Sequence, residues 1–218
     1  MMRENLSRQL ELLNNELIEM GALCEDAISS AVKYLSSAEP KLLENAAEAE
    51  RQIDRQEREI EDLCMKLIIR EQPVATDLRV ISSALRMTSD MERIGDQAYD
   101  ISDVAKNIAP LKVGGEIQIY DMAEATVRMV TESVNSFVTK DIAAAKAVIA
   151  MDDVVDRLFD LVKNELIAAI ESKSSDGELY IDLLMIAKYF ERIGDHAVNI
   201  AEWVIYSVSG EHKQRPQA

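Results

Sequence analysis

Glu92-Arg93-Ile94-Gly95-Asp96 returns about a hundred residues later as Glu191-Arg192-Ile193-Gly194-Asp195, and Ala98 and Ile101 return in step as Ala197 and Ile200. Matches held at one spacing mark an internal repeat, so whatever the first copy forms, the second forms too. Around the first copy Met87, Met91, Ile94, Ala98, Ile101 and Ala105 recur at steps of three and four, the signature of one face of an α-helix. That helix runs from about Ala75 to Asn107, and its counterpart from about Leu179 to Ser209, with Gly210 as a C-terminal stop. Upstream, Pro40 opens a helix that continues to about Arg70 before Pro73 interrupts it, and the matching helix of the second half spans about Asp141 to Ser172. Outermost are a helix seamed by Leu6, Leu10, Leu13, Leu17, Met20 and Cys24 that ends near Ser36, and one from about Ile117 to Thr139. Ala109-Pro110-Leu111-Lys112-Val113-Gly114-Gly115 holds the only Gly-Gly of the chain and reads as the turn between halves. The expected fold is all-α: two tandem three-helix bundles, six long antiparallel helices related by an internal pseudo-repeat. Residues 1–109 form the first bundle, 110–116 the linker, 117–210 the second bundle and 211–218 a polar tail.

Composition agrees with helices and excludes several functions. Apolar residues make up 48% of the chain but aromatics only 5%, a bias towards Leu, Ile, Val, Met and Ala that suits helix packing better than strands. A net charge of −16 with no local Lys/Arg cluster repels a phosphate backbone, so nucleic acid is not an expected partner. No run of eighteen apolar residues occurs and the N-terminal residues Met1 to Leu6 lack an apolar signal core, which predicts a cytoplasmic protein without direct membrane insertion. Cys24 and Cys64 sit singly at apolar helical positions and are expected as buried free thiols of a reducing compartment. There is no Gly-rich phosphate loop, no HExxH and no paired Glu-x-x-His, so no catalytic or cofactor-binding residue is assigned and no enzyme is expected.

The chemistry left in the pattern is acidic. Residues four apart on a helix are about 6 Å apart on one side, so Glu92, Asp96 and Asp100 form a ridge, with Glu191, Asp195 and Asn199 as its counterpart. The preceding helices add Glu50 with Asp54, on one face with Glu57 and Glu61, and Asp152 with Asp156. The latter pair interrupts the stripe Val148, Val155, Phe159, Val162, Leu166 and Ile170, which predicts carboxylates in core positions, where a charge loses several kcal/mol of hydration unless compensated. Two compensations fit: an interhelical salt-bridge lattice built from Arg51, Arg55, Arg93, Arg157 and Arg192, or bound cations. An oxygen-only donor set favours magnesium, manganese or iron, with zinc also admissible. Gly95 and Gly194 cost roughly 1 kcal/mol each inside a helix, which calls either for close helix approach or for room around a bound ion. His196 points away from Glu191 and reads as a surface or interface residue, and His212 lies in the tail.

Two Glu-Arg-Ile-Gly-Asp segments on the third helices, each with an E/D-x-x-x-D pair on the helix before, and the closing run Phe190 to Gly210, closely resemble the PhoU family over essentially the whole chain. The resemblance implies a cytoplasmic negative regulator of phosphate uptake and phosphate-starvation signalling. It would accompany the phosphate ABC transporter, through its ATPase subunit, and the phosphate sensor histidine kinase. It further implies a homodimer that binds iron, zinc or other metal clusters. Carried over by motif, the metal ligands are Glu50, Asp54, Glu92, Asp96 and Asp100 in one half, and Asp152, Asp156, Glu191, Asp195 and Asn199 in the other. Asn199 departs from the all-carboxylate pattern and implies a weaker second site. The competing readings are a carboxylate-bridged metalloenzyme, a metal-storage bundle, and a phosphotransfer module acting through His196.

Overall fold

The computed structural model describes residues 2–111, 118–172 and 176–211, with side chains from Asn5 onward, and its elements are six α-helices; no strand occurs among the described residues. They are α1 (Met2–Ser37), α2 (Pro40–Glu71), α3 (Ala75–Ile108), α4 (Ile119–Thr139), α5 (Ile142–Glu171) and α6 (Gly177–Ser209). These bounds follow the expected ones to within two residues. Pro40 occupies the first turn of α2, where its missing N–H costs nothing, and Gln72 in the left-handed region ends that helix before Pro73. Asp141 caps α5 rather than opening it, its Oδ1 accepting from the backbone N–H of Ala143 at 2.8 Å and Ala144 at 3.0 Å. Gly210, at φ 77°, ends α6 with its N–H on the Tyr206 carbonyl. Of the expected linker only Pro110 and Leu111 are described, Leu111 donating its N–H to the Leu35 carbonyl at 2.8 Å; Gly114, Gly115, Ile117 and His212 lie outside the described residues.

The seam of α1 is buried as its spacing requires: Leu13, Leu17, Met20, Cys24, Ala27, Ala31 and Leu35 are fully covered, each large side chain stabilising the fold by about 1.5–3 kcal/mol relative to exposure. α1, α2 and α3 pack on one another, as do α4, α5 and α6, giving the two bundles. A short connection is not all that joins them, because one hydrophobic cluster runs through both halves. At the α1–α4 contact a Cβ on Gly21 would lie 3.2 Å from Val134 Cγ2, and the Thr131 hydroxyl donates to Glu25 Oε1 at 2.7 Å. The most extensive pairing is α3 with α6. These two run antiparallel: Arg86 lies 5.9 Å from the Trp203 ring, Asp90 meets His196, and Asn107 Nδ2 donates to Asp182 at 3.4 Å. The two Glu-Arg-Ile-Gly-Asp segments are therefore level with each other at the middle of the interface. Cys24 and Cys64 are both buried and free. No described helix is long and apolar enough to cross a membrane.

Candidate functional site

In the first half the site begins with a missing side chain. A Cβ on Gly95 would stand 2.8 Å from Ile53 Cδ1 and 3.2 Å from its Cγ2, so the glycine sets how closely α3 approaches α2. Of the two roles open to it, this one is close helix approach. The approach brings the acidic row of α2 level with that of α3. Glu50 is raised above the ordinary carboxylate range first by burial, then by Asp54 on its own helix and Asp96 across the interface. Glu57 is raised by burial, then by Glu92 from α3. Glu92 is raised by burial, then by Asp96, and also by Asp54. Asp100 is raised by burial and then by Asp96. Burial is the first cause at all four groups, and at Glu50, Glu57 and Glu92 a carboxylate of the facing helix adds to it.

The second half repeats the arrangement with a different use of the glycine. A Cβ on Gly194 would lie 3.4 Å from Asp152 Oδ1 and 3.5 Å from Val155 Cγ1, so a carboxylate oxygen and an apolar branch share the space beside α6 at ordinary contact distance. Asp152 is pushed up to about 6, by burial first and then by Asp156, Asp195 and Glu191. Asp195 is raised by burial and then by Glu191, with Lys188 pulling the other way.

Burial corrects one expectation. The covered line of α5 is Ala145, Val148, Val155, Val162 and Leu166; Asp152 is partly covered on its flank, Asp156 is exposed, and Ile170 is 51% exposed. The carboxylates do not interrupt the core, because each i, i+4 step drifts about 40° round the helix and carries the ridge outward from the buried line. On α6, Glu191 is partly covered while Asp195 and Asn199 are exposed; on α2 and α3, Glu50, Asp54, Glu92, Asp96 and Asp100 are all partly covered. Asn199 turns across to the other half, its amide donating to Asp90 Oδ1 at 3.1 Å, where His196 Nδ1 also lies at 2.9 Å. His196 is thus an interface residue.

The arginines do not build the interhelical lattice. Arg93 reaches Glu92 and Asp96 of its own helix at 3.3 Å each, and Arg51 reaches Glu48 one turn back at 2.7 Å. Among the described residues, Arg55, Arg157 and Arg192 make no ion pair with a carboxylate, although Arg192 is near enough to Asp100 to oppose its rise. Partners three residues away on the same helix are always within reach, and they win. Also among the described residues, no three His, Cys, Asp or Glu side chains stand close enough together to hold a metal ion. The donor chemistry itself is that of a hard cation's ligands, only oxygens in facing rows, with Arg93 and Lys188 neutralising part of the charge.

The helical pattern missed what sets the halves apart. Where the first half has Glu57 and Glu61, the second has Phe159 and Lys163, and the ammonium groups of Lys163 and Lys188 stand 5.7 and 5.6 Å from the Phe159 ring. Lys188 also pairs with Glu191 at 2.5 Å. Phe159 was legible as an apolar position with Lys163 one turn on, but Lys188 comes from α6 and only the fold brings it to the ring.

Comparison with known proteins bears on both halves. The PhoU domain family matches residues 17–105 and again 119–204, one copy per bundle. A phosphate-specific transport system accessory protein PhoU homolog of Clostridium acetobutylicum is 32% identical over 213 residues, covering 97% of each chain. One from Aquifex aeolicus is 36% identical over 209 residues, covering 94% of each. The crystal structure of PhoU from Pseudomonas aeruginosa superimposes with a TM-score of 0.87 at 31% identity, over 94% of this chain and 99% of that one.

Proposed function

The chain belongs to the PhoU family, and we propose that it is a negative regulator of phosphate uptake and phosphate-starvation signalling, working from the cytoplasmic side. Its proposed partners are the ATPase subunit of the phosphate ABC transporter and the phosphate sensor histidine kinase, and its proposed assembly is a homodimer. The observation that carries this reading is the double PhoU-domain match, which spans both halves and so includes both acidic faces. Relatives of nearly equal length bear the name of a phosphate transport accessory protein.

The physical features support an output through other proteins. Long helical faces offer docking surface, and an open groove of about 410 Å³ lies between α1 and α2, lined by Leu23, Asp26, Gln52 and Arg55. Regulation of this kind requires tighter binding to one state of the partner than to the other, since equal affinity shifts no equilibrium.

Metal binding is part of the proposal. Glu50, Asp54, Glu92, Asp96 and Asp100 would hold a cation in the first half, and Asp152, Asp156, Glu191, Asp195 and Asn199 in the second, Asn199 offering only a neutral amide oxygen and its Nδ2 being held across the interface by Asp90. The ion would be iron or zinc by family resemblance, or magnesium or manganese by donor chemistry, and bound there it would add positive charge beyond what Arg93 and Lys188 supply. The residues' own part is to present oxygens from two facing helices in each half, whose approach in the first half is set by Gly95. A phosphate-responsive reporter in a deletion strain grown in abundant phosphate tests the regulatory role. Expression should stay high without the protein and fall when it is restored. Normal repression in the deletion strain, with no second family member present, overturns the assignment.

A further inference from the structure

The face shared by α2 and α3 has two ends of opposite character. Towards the α2–α3 turn, Met65, Ile69 and Leu78 are 50%, 71% and 42% exposed. Met65 and Ile69 continue, at steps of four, the line that begins with Glu57 and Glu61. One stripe therefore passes from carboxylates to large apolar side chains, with Arg58 set into it seven residues before Met65 and Arg93 paired to Glu92 and Asp96 beside it, so that the row stays acidic on balance. The equivalent face of the second half is broken by Lys163 and Lys188 over Phe159, so the two halves offer different chemistry to a visitor.

We infer that the α2–α3 face docks one amphipathic, cationic helix of a partner protein, its apolar turns on Met65, Ile69 and Leu78 and its Lys or Arg side chains along the acidic row. This rests on the reading of the chain as a regulator acting through a partner. The charge pattern selects the occupant. A second copy of a chain with net charge −16 would lay the same acidic face against this one, and nucleic acid or an anionic bilayer is repelled for the same reason. Apolar cover at one end and positive charge at the other are both needed, and a helix laid in the groove between two helices supplies both. From Glu50 to Ile69 the stripe is roughly 28 Å long, the length of about 18 helical residues.

The test is a fluorescence anisotropy titration of the full chain, in chelator and about 0.15 M salt, where weak surface attraction is largely screened. The probe is a helical peptide of about 18 residues with leucines on one half of its inner face and lysines on the other. A second peptide has the same composition in scrambled order. The native protein should bind the ordered peptide at least about tenfold more tightly than the scrambled one. Ile69→Asn with Leu78→Asn should weaken binding about tenfold, and so should Glu57→Gln with Glu61→Gln. Ile167→Asn with Ile181→Asn on the second half should leave it within about twofold, all variants keeping native circular dichroism. Equal binding of the two peptides, or an equal loss from the second-half pair, overturns the proposal. A peptide indifferent to Ile69 and Leu78 removes this surface but leaves the regulatory reading standing. A deletion strain that represses normally removes that reading and leaves the peptide result intact.

Discussion

Replacing Asp152 by Asn should stabilise the metal-free protein at neutral pH, against the usual direction for a change at a motif residue. In the fold Asp152 is pushed up to about 6 from 3.8, by burial first and then by Asp156, Asp195 and Glu191. Converted directly, that difference is about 3 kcal/mol of destabilisation at neutral pH. The side chain is only partly covered, so water screens much of it, and about 1 kcal/mol is the realistic figure. For a chain of this size that corresponds to a rise of about 2–4 °C in melting temperature for Asp152→Asn. A raised folded pKa means that the protonated form stabilises the fold below 3.8 and that this stability is lost as pH rises through about 6. The advantage of Asp152→Asn should therefore be full at about pH 7.5 and vanish by about pH 3.5. Urea titrations in chelator at several pH values measure it. Added divalent cation should reverse the order, since binding to the native state alone contributes about 2.7 kcal/mol at a hundredfold excess over Kd. A variant that is less stable than native without metal, or a difference that does not change with pH, would refute the reasoning.

Gly95→Ala should destabilise by about 1 kcal/mol, because the gain in helix propensity is outweighed by a Cβ 2.8 Å from buried Ile53, whereas Gly194→Ala, whose nearest neighbour is 3.4 Å away, should be neutral or stabilising by about 0.5–1 kcal/mol; paired thermal melts decide. Asp141→Ala removes the cap of α5 and should cost about 1 kcal/mol, read from denaturant midpoints. The Cys64 thiol, buried and pushed up to about 12 by burial and then by Glu61, should resist alkylation at pH 8 in the folded protein and react only on unfolding, which mass spectrometry follows.

The six helices and their order were legible because the apolar spacing of α1, α3 and α6 is strict and because Pro40, Pro73 and Gly210 stand where helices start and stop. The pairing of acidic rows between α2 and α3 and between α5 and α6 was legible from the repeat. Which flank of each ridge is covered was not, since a helical wheel fixes the angle between Asp152 and Val155 but not the position of the neighbouring helix. Asp156, Asp195 and Asn199 are exposed for that reason. The antiparallel register of α3 on α6 was likewise hidden: it brings Asp90 to His196 and Asn199 across the interface, and no local pattern encodes a contact between residues so far apart in the chain. The arginine lattice failed on a local competition that spacing alone does show, because Arg93 and Arg51 each have a carboxylate three residues away on their own helix.

The most direct measurement is elemental analysis of protein purified without chelator and equilibrated with manganese, iron or zinc, alongside the Asp96→Ala, Asp195→Ala double variant. If the facing rows of carboxylates are cation sites, the native protein retains bound metal through gel filtration and the double variant loses most of it while keeping its helical circular dichroism. A native protein free of metal under every loading condition, or a double variant that retains as much as the native one, would contradict the assignment and leave the acidic rows as solvated surface.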